Sequence, residues 1–177
     1  MLAVPLPNRS DPAAALNELR LDGVVLTGGN DLGAVSRSPD VAPEQDLFEG
    51  KLLEACAGSG IPVLGVCRGL QMLVVHHGGM VREIAGHVAV THPLTVRRPS
   101  VVPLREGMVV NSFHNFGVRR EDLGPDWEVA ATAPDGSVEA IAHRTLRRWG
   151  IMWHPERSPG SPEWGEILRG LFGAASR

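Results

Sequence analysis

The segment Gly65-Val66-Cys67-Arg68-Gly69 constrains this chain more than any other. It follows the apolar run 61–64 and leads into a helix-forming stretch, 70–75. Gly-x-Cys-x-Gly in a strand–turn–helix context predicts a sharp elbow with the cysteine at its apex. Such a turn strains the backbone of the apex residue, and glycine two positions to either side removes side chains that would clash. The thiol then stands at the end of a parallel strand, near the positive end of the next helix, which favours thiolate. Taken alone, the pattern suits a buried cysteine in a tight turn equally well.

A second cluster, Trp153-His154-Pro155-Glu156, shifts that balance. Thiolate chemistry needs a base that takes and returns a proton near neutral pH, which histidine does. The base needs an orienting carboxylate. Pro155 fixes its own φ and disfavours helix at His154, so the segment after the strand 149–153 is expected to stay extended. Residues two apart in an extended segment share a side. Cys67, His154 and Glu156 are therefore the candidate catalytic triad.

Composition sets limits. A chain of 177 residues, 43% hydrophobic, is expected to form a single domain, 1–177. A net charge of −3 gives no reason to expect a nucleic-acid partner. The arginine pairs at 97/98, 119/120 and 147/148 read as solvated surface. With only Cys56 and Cys67 available, a disulfide framework is not expected, and a reducing cytoplasm suits a free thiol. No secretory leader pattern or bilayer-length apolar run occurs, so neither export nor a membrane is expected. Adjacent His76 and His77 point in different directions on a helix, and no other ligand cluster is evident, so no metal is expected.

The apolar patterning alternates between helix and strand. Helices are expected over 13–20, 44–57 (stopped by Gly58), 70 to the Gly78-Gly79 stop, and about 162–172. Strands are expected over 23–27 and 61–64, in a β-rich stretch over 88–110, and as a hairpin, 128–133 and 138–142, around Pro134-Asp135-Gly136. This α/β alternation supports a parallel sheet covered by helices, with the site at the carboxyl ends of its strands.

Five segments, in order, resemble the class I glutamine amidotransferase-like family, in its γ-glutamyl hydrolase branch. They are Leu26-Thr27-Gly28-Gly29-Asn30-Asp31, Gly65 to Gln71, Val110-Asn111-Ser112-Phe113-His114, Ala133 to Ala140, and Gly150 to Glu156. The resemblance implies a flavodoxin-like, mostly parallel sheet flanked by helices with an additional antiparallel β portion. It also implies a small-molecule γ-glutamyl substrate and no cofactor. Family members usually begin with a further strand and helix ahead of residues 3–7. Their absence here predicts an open sheet edge, to be covered by an upstream extension, another element or a second copy in a homo-oligomer.

The resemblance also assigns roles. Acyl transfer creates an oxyanion, for which the backbone N–H of Arg68 and of Gly29 or Asn30 are the expected donors. Gln71 matches the glutamine that holds the γ-glutamyl group. The Asn111, Ser112, Phe113 and His114 segment matches a loop whose backbone receives the substrate α-carboxylate, with His114 either a contact or structural. Cys-Arg-Gly is common in free-standing γ-glutamyl hydrolases, whereas glutaminase components of synthetases commonly carry Cys-Leu-Gly. The expectation is a thiol hydrolase of γ-glutamyl amides, with an ammonia-delivering glutaminase and a catalytically silent regulatory domain as alternatives. The wording Asn111 to Phe116 is closer to members that hydrolyse a γ-glutamyl phosphoramidate on a cytidine diphosphate.

Overall fold

The structure is a computed structural model that describes residues 2–36, 39–97, 102–157 and 164–173. Among the described residues, four α-helices accompany a central sheet: α1 (Pro12–Leu19), α2 (Pro43–Ser59), α3 (Arg68–His76) and α4 (Trp164–Phe172). The sheet holds β1 (Val24–Leu26), β2 (Val63–Val66), β5 (Thr95–Val96), β8 (Trp127–Thr132), β9 (Val138–His143) and β10 (Arg148–Ile151). Its order is β1-β2-β10-β9-β8-β5. The first three strands run parallel, and β9, β8 and β5 continue the same sheet antiparallel. The parallel and antiparallel portions are thus halves of one mixed sheet. Two small ribbons complete the β structure. In one, β3 (Arg82–Glu83) pairs with β7 (Phe116–Gly117); in the other, β4 (Val88–Pro93) pairs with β6 (Val109–Phe113).

Local chemistry accounts for the element ends. Asp11 caps α1 by accepting from the N–H groups of Ala13 and Ala14, with Pro12 as the first helical residue. Helix α2 passes through Gly58, where a stop was expected. It closes at Gly60, whose φ of +69° gives the left-handed cap that an L residue resists. The expected start of α4 at residue 162 lies outside the described residues.

Every residue of β2 is buried, as expected of a strand covered on both faces. Helix α3 crosses it so closely that only glycine fits. A Cβ on Gly65 would collide with the carbonyl oxygen of Gly69, and one on Gly69 with that of Leu26. Leu64, Leu70, Leu73, Ile151 and Trp153 fill the core around this crossing. Strand β1 stands at one edge of the sheet.

One surface expectation is corrected. Arg148 is buried, because β10 is covered on both faces and its first residue faces inward. Its guanidinium donates to His77 Nε2 at 2.6 Å and to the carbonyl of Leu53.

Candidate active site

Cys67 joins β2 to α3 with φ 52° and ψ −106°, a conformation few non-glycine residues adopt. Its N–H donates to the Ile151 carbonyl at 2.8 Å, fixing the elbow to the end of β10. The strain expected from the glycine spacing is therefore present. The expected thiolate is opposed by burial. Burial pushes the Cys67 thiol up to about 11; the Arg68 N–H and Arg157 pull it down, and the charges of Glu156 and Glu139 add to the rise. Desolvation outweighs the nearby donors and favours the neutral thiol.

His154 follows β10 and is buried. The segment was expected to stay extended; instead the Arg157 N–H donates to the His154 carbonyl at 3.1 Å, closing a turn with Pro155 second in it. That turn folds Glu156 back, so that His154 Nδ1 bonds Glu156 Oε1 at 2.6 Å. A proton on Nδ1 would complete that bond and leave Nε2 without one. A Cβ on Gly28 would lie 2.7 Å from His154 Cε1, so the Gly28-Gly29 turn is where the imidazole packs.

Asn111 holds the same histidine from behind. Its Nδ2 donates to the His154 carbonyl and its Oδ1 accepts from the His154 N–H, both at 2.8 Å. It lies in strand β6, not in a loop, as do Ser112 and Phe113. Ser112 is buried and donates to the His87 carbonyl, whereas Phe113 is part-exposed with its ring edge-on to His154. His114 is buried and stacks on His87 with ring centroids 4.8 Å apart. Burial and the neighbouring His87 push it down to about 4. Gln71 is buried and spends its Nε2 on the Phe116 carbonyl at 2.9 Å.

The Arg68 side chain points away from the thiol. It is buried, pairing with Glu49 and Asp46 of α2. Asp46 also accepts from the Gly33 N–H at 2.9 Å, so Arg68 ties the elbow to the loop that follows Gly28, Gly29 and Asn30. Sequence reasoning missed Asp46, Glu49 and Arg157. The guanidinium of Arg157 lies 4.5 Å from the Phe113 ring centroid. A cation immediately after Glu156 was the available signal.

The expectation that no ligand cluster exists is also corrected. His77, Asp126 and His143 form one group and His87, His92 and Glu139 another, each assembled from strands and loops distant in sequence. Glu139 is fully buried, and burial raises its carboxyl well above the usual range.

A continuous parallel-to-antiparallel sheet with a cysteine elbow at its strand ends defines a class I glutamine amidotransferase-like protein, a hydrolase of C–N bonds. The chain belongs to the Peptidase C26 family, whose model matches residues 1–156. It is 34% identical to a γ-glutamyl-CDP-amidate hydrolase from Campylobacter jejuni over 93% of this chain and 80% of that one. It is 30% identical to a γ-glutamyl-γ-aminobutyrate hydrolase from Escherichia coli O157:H7 over 94% and 77% of the two chains. Among solved structures, a GMP synthase protein from Thermoplasma acidophilum shares the fold, with a TM-score of 0.77 at 23% identity over 95% and 78% of the two chains.

Proposed function

We propose that the chain is a thiol hydrolase that cleaves a γ-glutamyl amide through Cys67, His154 and Glu156. The observation that carries this reading is the 2.6 Å bond between His154 and Glu156 on a turn that leaves the β10 end to which the Cys67 elbow is bonded. His154 Nε2 takes the thiol proton as Cys67 Sγ attacks the γ-carbonyl carbon. The tetrahedral oxyanion is met by the N–H of Arg68 and of Gly29 or Asn30. His154 then protonates the departing nitrogen, leaving a γ-glutamyl thioester. Water, deprotonated by His154, attacks the thioester and releases glutamate and the thiol. Because the resting thiol is neutral, proton transfer and attack are coupled. Arg157, exposed beside Phe113, places positive charge at the rim for an anionic substrate group.

The similarity to a γ-glutamyl-CDP-amidate hydrolase makes a γ-glutamyl phosphoramidate the first leaving group to try. The test is hydrolysis of a panel of γ-glutamyl amides and phosphoramidates by the purified chain. Turnover by the wild type and by Cys56→Ala, lost in Cys67→Ala, is the expected result. Silence on the panel, with glutamine hydrolysis appearing only when a synthetase is added, would assign the ammonia-delivering role instead. Silence in both arms would leave a regulatory domain.

A further inference from the structure

Glu139 presents an unmet electrostatic demand. It has no exposed surface, and neither carboxylate oxygen has a hydrogen-bond partner among the described residues. A buried carboxyl group is met by donors, by a cation or by a proton of its own. Three imidazole nitrogens lie near its Oε1: His92 Nε2 at 3.5 Å, His114 Nε2 at 3.9 Å and His87 Nδ1 at 3.9 Å, the last also 3.1 Å from Ser112 Oγ. His92 Nε2 and both ring nitrogens of His114 are buried without hydrogen-bond partners. Such spacing suits ligands that share an ion. Zinc binds nitrogen and oxygen at about 2.0–2.1 Å in a tetrahedron, whose ligand-to-ligand edge is then roughly 3.3 Å. The His92 and His87 distances to Oε1 exceed that edge by about 0.2 and 0.6 Å.

The surroundings match in kind. Ligand atoms of His87, His92 and Glu139 lie within 4.8 Å of one another. A metal-binding imidazole is normally held by a partner on its other nitrogen. His87 Nε2 has Ser137 Oγ at 3.3 Å and Asp135 Oδ2 at 3.5 Å, and Ser137 in turn donates to Asp135 Oδ1 at 2.6 Å. Arg119 fixes Asp135 from outside at 3.1 Å.

We propose that His87, His92 and Glu139 form a buried three-residue site for a divalent metal ion of the zinc class. Two imidazoles and one carboxylate select such an ion over magnesium or calcium, which prefer all-oxygen sites. An ion there joins the β4–β6 ribbon to β9 of the main sheet. The site is independent of the reaction proposed above, and its test requires no turnover.

The experiment uses chelator-stripped protein carrying Cys67→Ser, so that the thiol cannot contribute a ligand. Zinc chloride is titrated against a chromophoric chelator, and cobalt chloride is added separately to read coordination geometry. About one zinc per chain is expected, with the intense visible bands of tetrahedral cobalt and no displacement by millimolar magnesium. His92→Ala, at a half-buried position, is expected to lower zinc affinity at least about tenfold while circular dichroism stays native. His143→Ala should leave binding unchanged. Folded protein holding less than one-tenth of an equivalent of zinc overturns the proposal. So does binding that survives His92→Ala, or that is lost only in His143→Ala.

Discussion

His154 Nδ1 and Glu156 Oε1 lie 2.6 Å apart because Pro155 turns the chain between them. The carboxylate therefore reaches the imidazole from within the same turn, without a contribution from another element. Glu156→Gln keeps the turn but replaces the carboxylate with a neutral amide that no longer fixes the base tautomer. We expect kcat on an accepted γ-glutamyl amide to fall by on the order of 10²- to 10⁴-fold with little change in KM. A loss below about fivefold in steady-state assays would remove Glu156 from the triad.

The neutral resting thiol makes a pH prediction. Cys67 is pushed up to about 11 by burial, so its thiolate fraction rises roughly tenfold per pH unit through neutrality. Iodoacetamide alkylation at Cys67, followed by peptide mass spectrometry, should accelerate without a plateau from pH 7 to 10. A plateau near pH 7 would mean a preformed thiolate–imidazolium pair. Under substrate-like electrophiles, labelling should favour Cys67 over Cys56, because Cys56 has no base in an elbow beside it.

Arg68 invites a test of the reading that places it among specificity markers. Its guanidinium is buried between Glu49 and Asp46, and Asp46 holds the Gly33 N–H. Arg68→Leu leaves two carboxylates without their cation, which is expected to cost about 3–5 kcal/mol in urea unfolding. The same change should not convert the chain into a partner-dependent glutaminase. A stable Arg68→Leu variant, within about 1 kcal/mol of wild type, would show that the triple ion pair is dispensable.

The Arg148–His77 contact predicts acid sensitivity. Arg148 donates to neutral His77 Nε2, and burial with the nearby Arg148 charge holds His77 down to about 4. A histidine whose folded pKa lies below its unfolded value of 6.5 stabilises the fold above that unfolded pKa. The contribution is lost as pH falls from about 6.5 to about 4. With His77 half-buried, solvent screening reduces it to on the order of 1 kcal/mol. Urea midpoints should drop across that window, and His77→Gln should flatten the drop.

Much of the fold was legible because its signals are local. The glycines around Cys67, the Asp11-Pro12 cap and the turn around Asp135-Gly136 act within a few residues of where they stand. Elbow, helix and hairpin accordingly lie where the pattern put them, give or take one or two residues at their ends, α2 outrunning Gly58 by one. His154 and Glu156 were legible as neighbours in sequence, though the turn that joins them was read as an extended segment. What the sequence could not show depends on the low dielectric of the packed interior and on contacts between distant elements. The thiol is neutral because of how deeply β2 and α3 bury it. Arg68 and Arg148 are internal because α2 and β10 bring partners to them. Asn111 serves His154 because β6 delivers it to the end of β10. His87, His92, His114 and Glu139 are scattered over some fifty positions, and only the pairing of β4 with β6 above β9 gathers them around one carboxylate. Short-range sterics and capping wrote the elements, and burial decided what their side chains became.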